Sequence, residues 1–313
     1  MNVKLITDTN ALKQNHMYKN IQLYLIMLPV LIHIFIFCYI PMYGVVIAFQ
    51  DYYPGSNFIA FDGSIQWVGF EHFINFVTGP YFSRLVKNTF TLSFYFFIFG
   101  FWIPIMFALL LNELKNKYLK KFVQTASYLP YFISTVVVAG MVLSFIGTDG
   151  IFNILIRSLG GTTISFITEP KYFTVIYTIT SIWVSFGWNS ILYLSSMSSI
   201  DPSLYEAAKI DGANRFKQML HITLPSIQST IFILLIFAIG NLLSANSEFI
   251  LLIYNPATYE TADVIGTYVY REGLMGGNFS SGTAIGLFTS VINFTLLFIA
   301  NSISRKVSDY ALW

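Results

Sequence analysis

Charge is what this sequence has least of. Asp, Glu, Lys and Arg make up 10 % of its 313 residues, against roughly 25 % in an ordinary soluble domain. Residues of the AVILMFWYC set supply 55 %, and phenylalanine alone occurs 31 times. So few charges cannot coat a soluble core of that size. This excludes a typical soluble enzyme, a disordered chain and a collagen-like one. A mean hydropathy of +0.65 belongs to a polytopic helical membrane protein. The single cysteine, Cys38, excludes an intramolecular disulfide and a Cys-based metal cluster. It falls in an apolar run, where a buried, inert thiol is expected. The net charge of +2 is too small for a nucleic-acid surface.

Catalytic patterns are missing as well. No Walker-type phosphate loop occurs, so ATP hydrolysis is not expected from this chain. Its histidines, at 16, 33, 72 and 221, are scattered and form no H-E-x-x-H. No G-x-S-x-G elbow is present. No apolar run carries the paired carboxylates of an intramembrane protease or proton relay. Glu248 alone falls inside a run, near its outer end.

What is present is a series of six apolar runs, near 21–49, 85–111, 128–146, 172–199, 225–252 and 283–303. Each is long enough for a helix to cross about 30 Å of hydrocarbon. They are apolar all round, unlike the alternating strands of a barrel. The expected fold is therefore all-α, with six transmembrane helices. Residues 1–20 read as a short tail, 21–303 as the membrane domain and 304–313 as a second tail. The first run is too long for a signal peptide and lacks a small-residue cleavage site, so it reads as a retained helix.

Basic residues set the orientation. Lys4, Lys13, Lys19, Lys115, Lys117, Lys120, Lys121, Lys209, Arg215, Lys217, Arg305 and Lys306 fall on one side; Arg84, Lys87, Arg157, Lys171 and Arg271 fall on the other. Twelve against five predicts that both termini and the loops 112–127 and 200–224 are cytoplasmic. The outer loops are rich in turn dipeptides such as Pro54-Gly55 and Gly276-Gly277. Gly282 and Gly286 make a small-xxx-small pair suited to helix packing.

The loop from Asp201 to Pro225 is the informative segment. Asp201 and Pro202 form an N-cap and N1 pair. A short helix should follow, broken at Gly212, with a second turn leading to Pro225 at the mouth of the fifth span. Glu206-Ala207-Ala208, then Gly212, then Ile222, Leu224 and Pro225 resemble the EAA motif of permease subunits in ATP-binding-cassette (ABC) importers. The segments Tyr39-Ile40-Pro41-Met42-Tyr43-Gly44, Ala48-Phe49-Gln50-Asp51-Tyr52, Trp67 to Phe73 and the tail Ser308 to Trp313 resemble carbohydrate permeases of the polysaccharide type.

That resemblance implies a type I importer architecture in a bacterial plasma membrane, with a coupling helix between spans four and five. It implies four kinds of partner: a second, homologous permease, two ATPase subunits that hold ATP and Mg, an extracellular or lipid-anchored solute-binding protein, and a carbohydrate. This chain would bind no cofactor itself. Glu206, Ala207, Ala208, Asp211, Gly212, Leu224 and Pro225 would couple it to the ATPase, with Glu206 meeting a basic residue there.

A sugar pathway needs hydroxyls, amides and aromatic faces. Span four offers Ser181, Trp183, Ser185, Trp188, Asn189 and Tyr193; span five offers Asn241, Ser244 and Asn246. Polar groups in spans tend to face a cavity or another helix. Ser181, Ser185, Trp188, Asn189, Asn241, Ser244 and Asn246 are the candidates for the pathway. Other readings are an importer of peptides or amino acids, an ion-driven transporter, which should show inverted repeats, or an intramembrane enzyme.

Overall fold

The computed structural model describes residues 21–56, 65–307 and 311–313. Lys4, Lys13, Lys19 and Ser308 to Tyr310, which the sequence reading used, lie outside the described residues. The described residues are helical, with a lone antiparallel bridge between Gln50 and Trp67. Five helices are long and apolar enough to cross a membrane, or six when one bent pair counts as a span.

Span one covers Leu23–Phe49. Its α-helical part ends at Ile34, and a wider π turn follows over Phe35–Tyr39. There the Ile40 N–H reaches back to the Phe35 carbonyl, just ahead of Pro41, whose ring crowds the preceding turn. Residues 23–42 are exposed within the chain, and contacts begin only at the 3-10 turn Tyr43–Phe49, which packs on span six. Cys38 is therefore exposed rather than buried, because this helix stands apart from its own bundle.

Span two is Phe82–Asn112 and span four is Pro170–Ser198. These two form the most extensive helix pair of the bundle. One apolar cluster joins Phe101, Ile105, Ala108, Tyr193, Met197 and Ile227 towards the face that carries the 201–225 loop. A second joins Leu92, Val138, Phe173, Tyr177 and Phe249 towards the opposite face.

The segment expected as a loop at 112–127 contains a helix, Lys117–Tyr128, whose N-cap Asn116 accepts from the Tyr118 and Leu119 N–H groups. Its backbone lies so close to span four that a Cβ on Gly187 would fall on the Ser127 carbonyl. A 3-10 turn with Pro130 breaks it from span three, which covers Thr135–Ser158 and opens with the helix Thr135–Ile146 under a Ser134 cap. Span three thus starts later than the apolar run at 128 suggests.

Span five differs most from expectation. The run 225–252 is not one helix. Arg215–Ser226 meets Gln228–Gly240 at 63°, because Pro225 cannot continue the ladder. A π turn at Met219–Thr223 precedes that proline, as one precedes Pro41. The helix stops at Gly240, which packs closely against Leu297 of span six. Residues 241–246 are turn and irregular backbone, and a new helix covers Ser247–Ile253.

Span six is Phe279–Val307. Gly282 faces Gly273 across a gap that a Cβ on either would close to about 3 Å, while Gly286 faces open space. Close packing therefore uses the first glycine of that pair and not the second.

Ion pairs fix which segments share a face. Glu113 and Arg215 meet at 3.1 Å, bringing the end of span two beside the 201–225 loop. On the opposite face, Asp263 is fully buried. It accepts two bonds from Arg271, one from Arg84 and one from Thr267. Those bonds hold the Arg271 guanidinium above its already high range. Asn88 donates to the Glu260 and Asp263 carbonyls, and Thr89 accepts from Ile265. These side chains replace water for the backbone of an irregular segment packed on span two.

Candidate coupling loop and translocation clefts

The loop helix is Pro202–Ile210. Asp201 accepts from the Ser203 N–H at 2.9 Å, and that bond holds its carboxyl below the usual range. The helix ends as the sequence predicts. Gly212 has a φ of +77°, the Gly212 N–H bonds the Lys209 carbonyl and the Ala213 N–H bonds the Ala208 carbonyl. This is a Schellman motif. Asn214 then caps Arg215–Gln218.

Glu206, Ala207, Asp211 and Gly212 are exposed, Ala208 is half-buried, and Glu206 makes no ion pair among the described residues. Ile210 is 87 % exposed, and Leu204 and Phe216 are also open. Leu224 turns inward onto the apolar cluster around Ile227, while Pro225 stays exposed at the elbow. The loop thus presents carboxylates, small residues and unshielded apolar side chains.

Two adjoining clefts lie between spans two, four and five. One, of about 370 Å³, is bordered by Tyr131, Thr180, Ser181, Ser185, Ser244 and Asn246 among others. The other, of about 300 Å³, lies nearer the loop face and is bordered by Asn189, Tyr193, Asn241 and Ser244, with Phe97 and Phe101. Phe96, Tyr177 and Ser244 belong to both. Six of the seven candidate pathway residues therefore border these clefts. Trp188 does not. It stacks on Tyr131 at 4.6 Å and so backs the cleft wall. Trp183 borders a separate apolar groove with Met141 and Phe145. Glu248 is exposed in the first turn of Ser247–Ile253.

The unwound segment 241–246 is what lets span five face both clefts. Its backbone is held from two sides. Asn293 accepts from the Leu243 N–H at 3.2 Å and donates to the Ser244 hydroxyl at 2.8 Å. The Tyr177 hydroxyl accepts from the Asn246 N–H at 2.9 Å. Non-helical backbone at membrane depth is stable only where protein or a wet cavity satisfies it. Tyr177 and Asn293 were not among the sequence candidates. The signal available was Asn293 as a lone amide in the run Val291 to Phe294. Among the described residues, those bordering the two clefts include no Asp, Glu, Lys, Arg or His.

The family described as binding-protein-dependent transport system inner membrane component matches residues 100–309. This chain belongs to that family. It is a multi-pass permease subunit of an ABC importer. The polygalacturonan/rhamnogalacturonan transport system permease YteP of Bacillus subtilis is 43 % identical over 292 residues, covering 93 % of this chain and 90 % of that one. The protein LplB of the same organism is 42 % identical over 292 residues, covering 93 % and 91 %. A chain of a bacterial alginate ABC transporter, solved with an alginate pentasaccharide-bound periplasmic protein, has a TM-score of 0.84 at 40 % identity, covering 95 % of this permease and 99 % of that chain. The type I architecture expected from the EAA loop is thus the one the permease has.

Proposed function

We propose that this permease forms half of the pathway for an oligosaccharide or polysaccharide fragment and couples its passage to ATP hydrolysis in separate subunits. The observation that carries the reading is the pair of clefts beside the unwound segment 241–246. Their lining of hydroxyls, amides and aromatic rings suits the polar rims and apolar faces of sugars. Relatives named for polygalacturonan/rhamnogalacturonan and alginate transport favour the same substrate class.

Two cassette ATPases hold the ATP and Mg, and this chain binds no cofactor. One of them receives the 201–225 loop, with Glu206, Ala207, Ala208, Asp211 and Gly212 at the contact and Leu224 and Pro225 at the elbow behind it. The exposed Ile210 and the unpaired Glu206 support a partner there. A solute-binding protein delivers the sugar at the opposite face. The second half of the pathway is a homologous permease. The apolar first span, whose residues 23–42 are exposed within its own chain, supports such a subunit beside it. Both termini face the cytoplasm, as the basic residues favour.

Purification of the tagged complex from its native membrane, followed by uptake of labelled oligosaccharides into proteoliposomes, tests the reading. Uptake should need ATP and the binding protein. Uptake driven by an ion gradient alone would refute it.

A further inference from the structure

We infer that Tyr205 is a positioning residue whose hydroxyl latches the loop helix to the elbow of span five. The inference rests on the coupling reading above. Tyr205 is half-buried on Pro202–Ile210, and its hydroxyl lies 2.9 Å from the Thr223 hydroxyl, 18 residues further on. Thr223 is 1 % exposed and closes the π turn Met219–Thr223. Across that turn the Leu224 N–H bonds the Met219 carbonyl, and Pro225 follows at once.

The backbone route between the same two points is indirect. It passes through Gly212, at a φ of +77° with nothing within 4 Å of its missing Cβ, and then through a fresh cap at Asn214. A push on the loop helix could be absorbed in that joint. The hydroxyl bond bypasses it. It joins the helix to the widened turn, from which the chain bends by 63° into Gln228–Gly240. That helix ends at the segment bordering both clefts. The neighbouring Arg215–Glu113 pair is exposed, so it is weak, and it ties the loop to span two instead. π turns inside helices are rare and recur at functional sites. A latch at Thr223 is placed to hold or release such a turn.

The test uses the complete transporter in proteoliposomes and reads ATP hydrolysed per solute imported. Tyr205→Phe and Thr223→Val each delete one hydroxyl with little change of shape. One neutral hydrogen bond corresponds to a roughly two- to tenfold effect. Each variant should raise the ratio by about that factor while the complex stays assembled. The double variant should match the single ones, because they remove the same bond. Thr223→Ser, which keeps the hydroxyl, should stay near wild type. An unchanged ratio in Tyr205→Phe, or losses that add in the double variant, overturns the latch alone. A wild-type complex whose hydrolysis ignores solute overturns the coupling reading and the latch with it.

Discussion

Replacing Gly212 separates backbone strain from side-chain crowding at the loop break. The residue holds a φ of +77°, and a Cβ built on it meets nothing within 4 Å. Any side chain would therefore fit, and the cost comes from the left-handed backbone alone. That cost is about 1–2 kcal/mol for an ordinary L-residue, smaller for Asn and larger for a β-branched one. Since about 1.4 kcal/mol is a factor of ten, Gly212→Ala should lower solute-stimulated ATPase activity and uptake by roughly fivefold to thirtyfold. Gly212→Asn should lower them less, and Gly212→Val more. The assay is paired uptake and hydrolysis in proteoliposomes, with assembly checked by co-purification. An order that follows side-chain size, with Asn as harmful as Val, would refute the strain argument. Wild-type activity in Gly212→Val would remove the Schellman break from the mechanism.

Three further outcomes follow from the geometry. Asp263 is buried with two arginines on it, and removing one partner of a buried charge cluster costs about 3–5 kcal/mol. Asp263→Asn should lower the melting temperature of the complex and open residues 256–275 to added protease; unchanged melting contradicts the buried-cluster account. Asn293→Ala should leave the complex assembled and reduce uptake about tenfold, since the Leu243 N–H loses its acceptor and the Ser244 hydroxyl its donor; unaltered uptake kinetics would sink the claim that this segment shapes the pathway. Asp201 has a lowered carboxyl pKa because it accepts from Ser203. A depressed carboxylate contributes fully above its unfolded value, near 3.9, and loses that contribution as pH falls through its folded value. Hydrogen exchange at Leu204 to Lys209 should keep its protection from pH 7 to about 5 and lose it only at lower pH, and Asp201→Asn should abolish that dependence. A loss already at pH 6 argues against the cap.

The spans were legible because hydropathy is a local property, and the loop was legible because a cap, a proline and a left-handed glycine each act over one turn. The break after Gly240 was not. Asn241, Ser244 and Asn246 stand in an apolar run that reads as continuous helix. The groups that let the backbone unwind, Asn293 and Tyr177, are 50 and 69 residues away in sequence. Asp263 was missed for the same reason, since Arg84 lies 179 residues earlier. The run 172–199 placed Trp188 on the pathway by residue type, whereas stacking on Tyr131 turns it behind the wall. Cys38 was misread because burial inside a membrane helix depends on neighbours, and the first span has few in its own chain.

Glu206→Ala, in the reconstituted transporter with its ATPases and binding protein, tests the central claim most directly. Glu206 is exposed on the loop helix and has no ion-pair partner among the described residues. A charge pair desolvated at an interface loses about 2–5 kcal/mol when one side is truncated. The account predicts normal membrane insertion, a loosened or uncoupled ATPase and uptake reduced at least about thirtyfold. Wild-type uptake with wild-type stimulation of hydrolysis would contradict it.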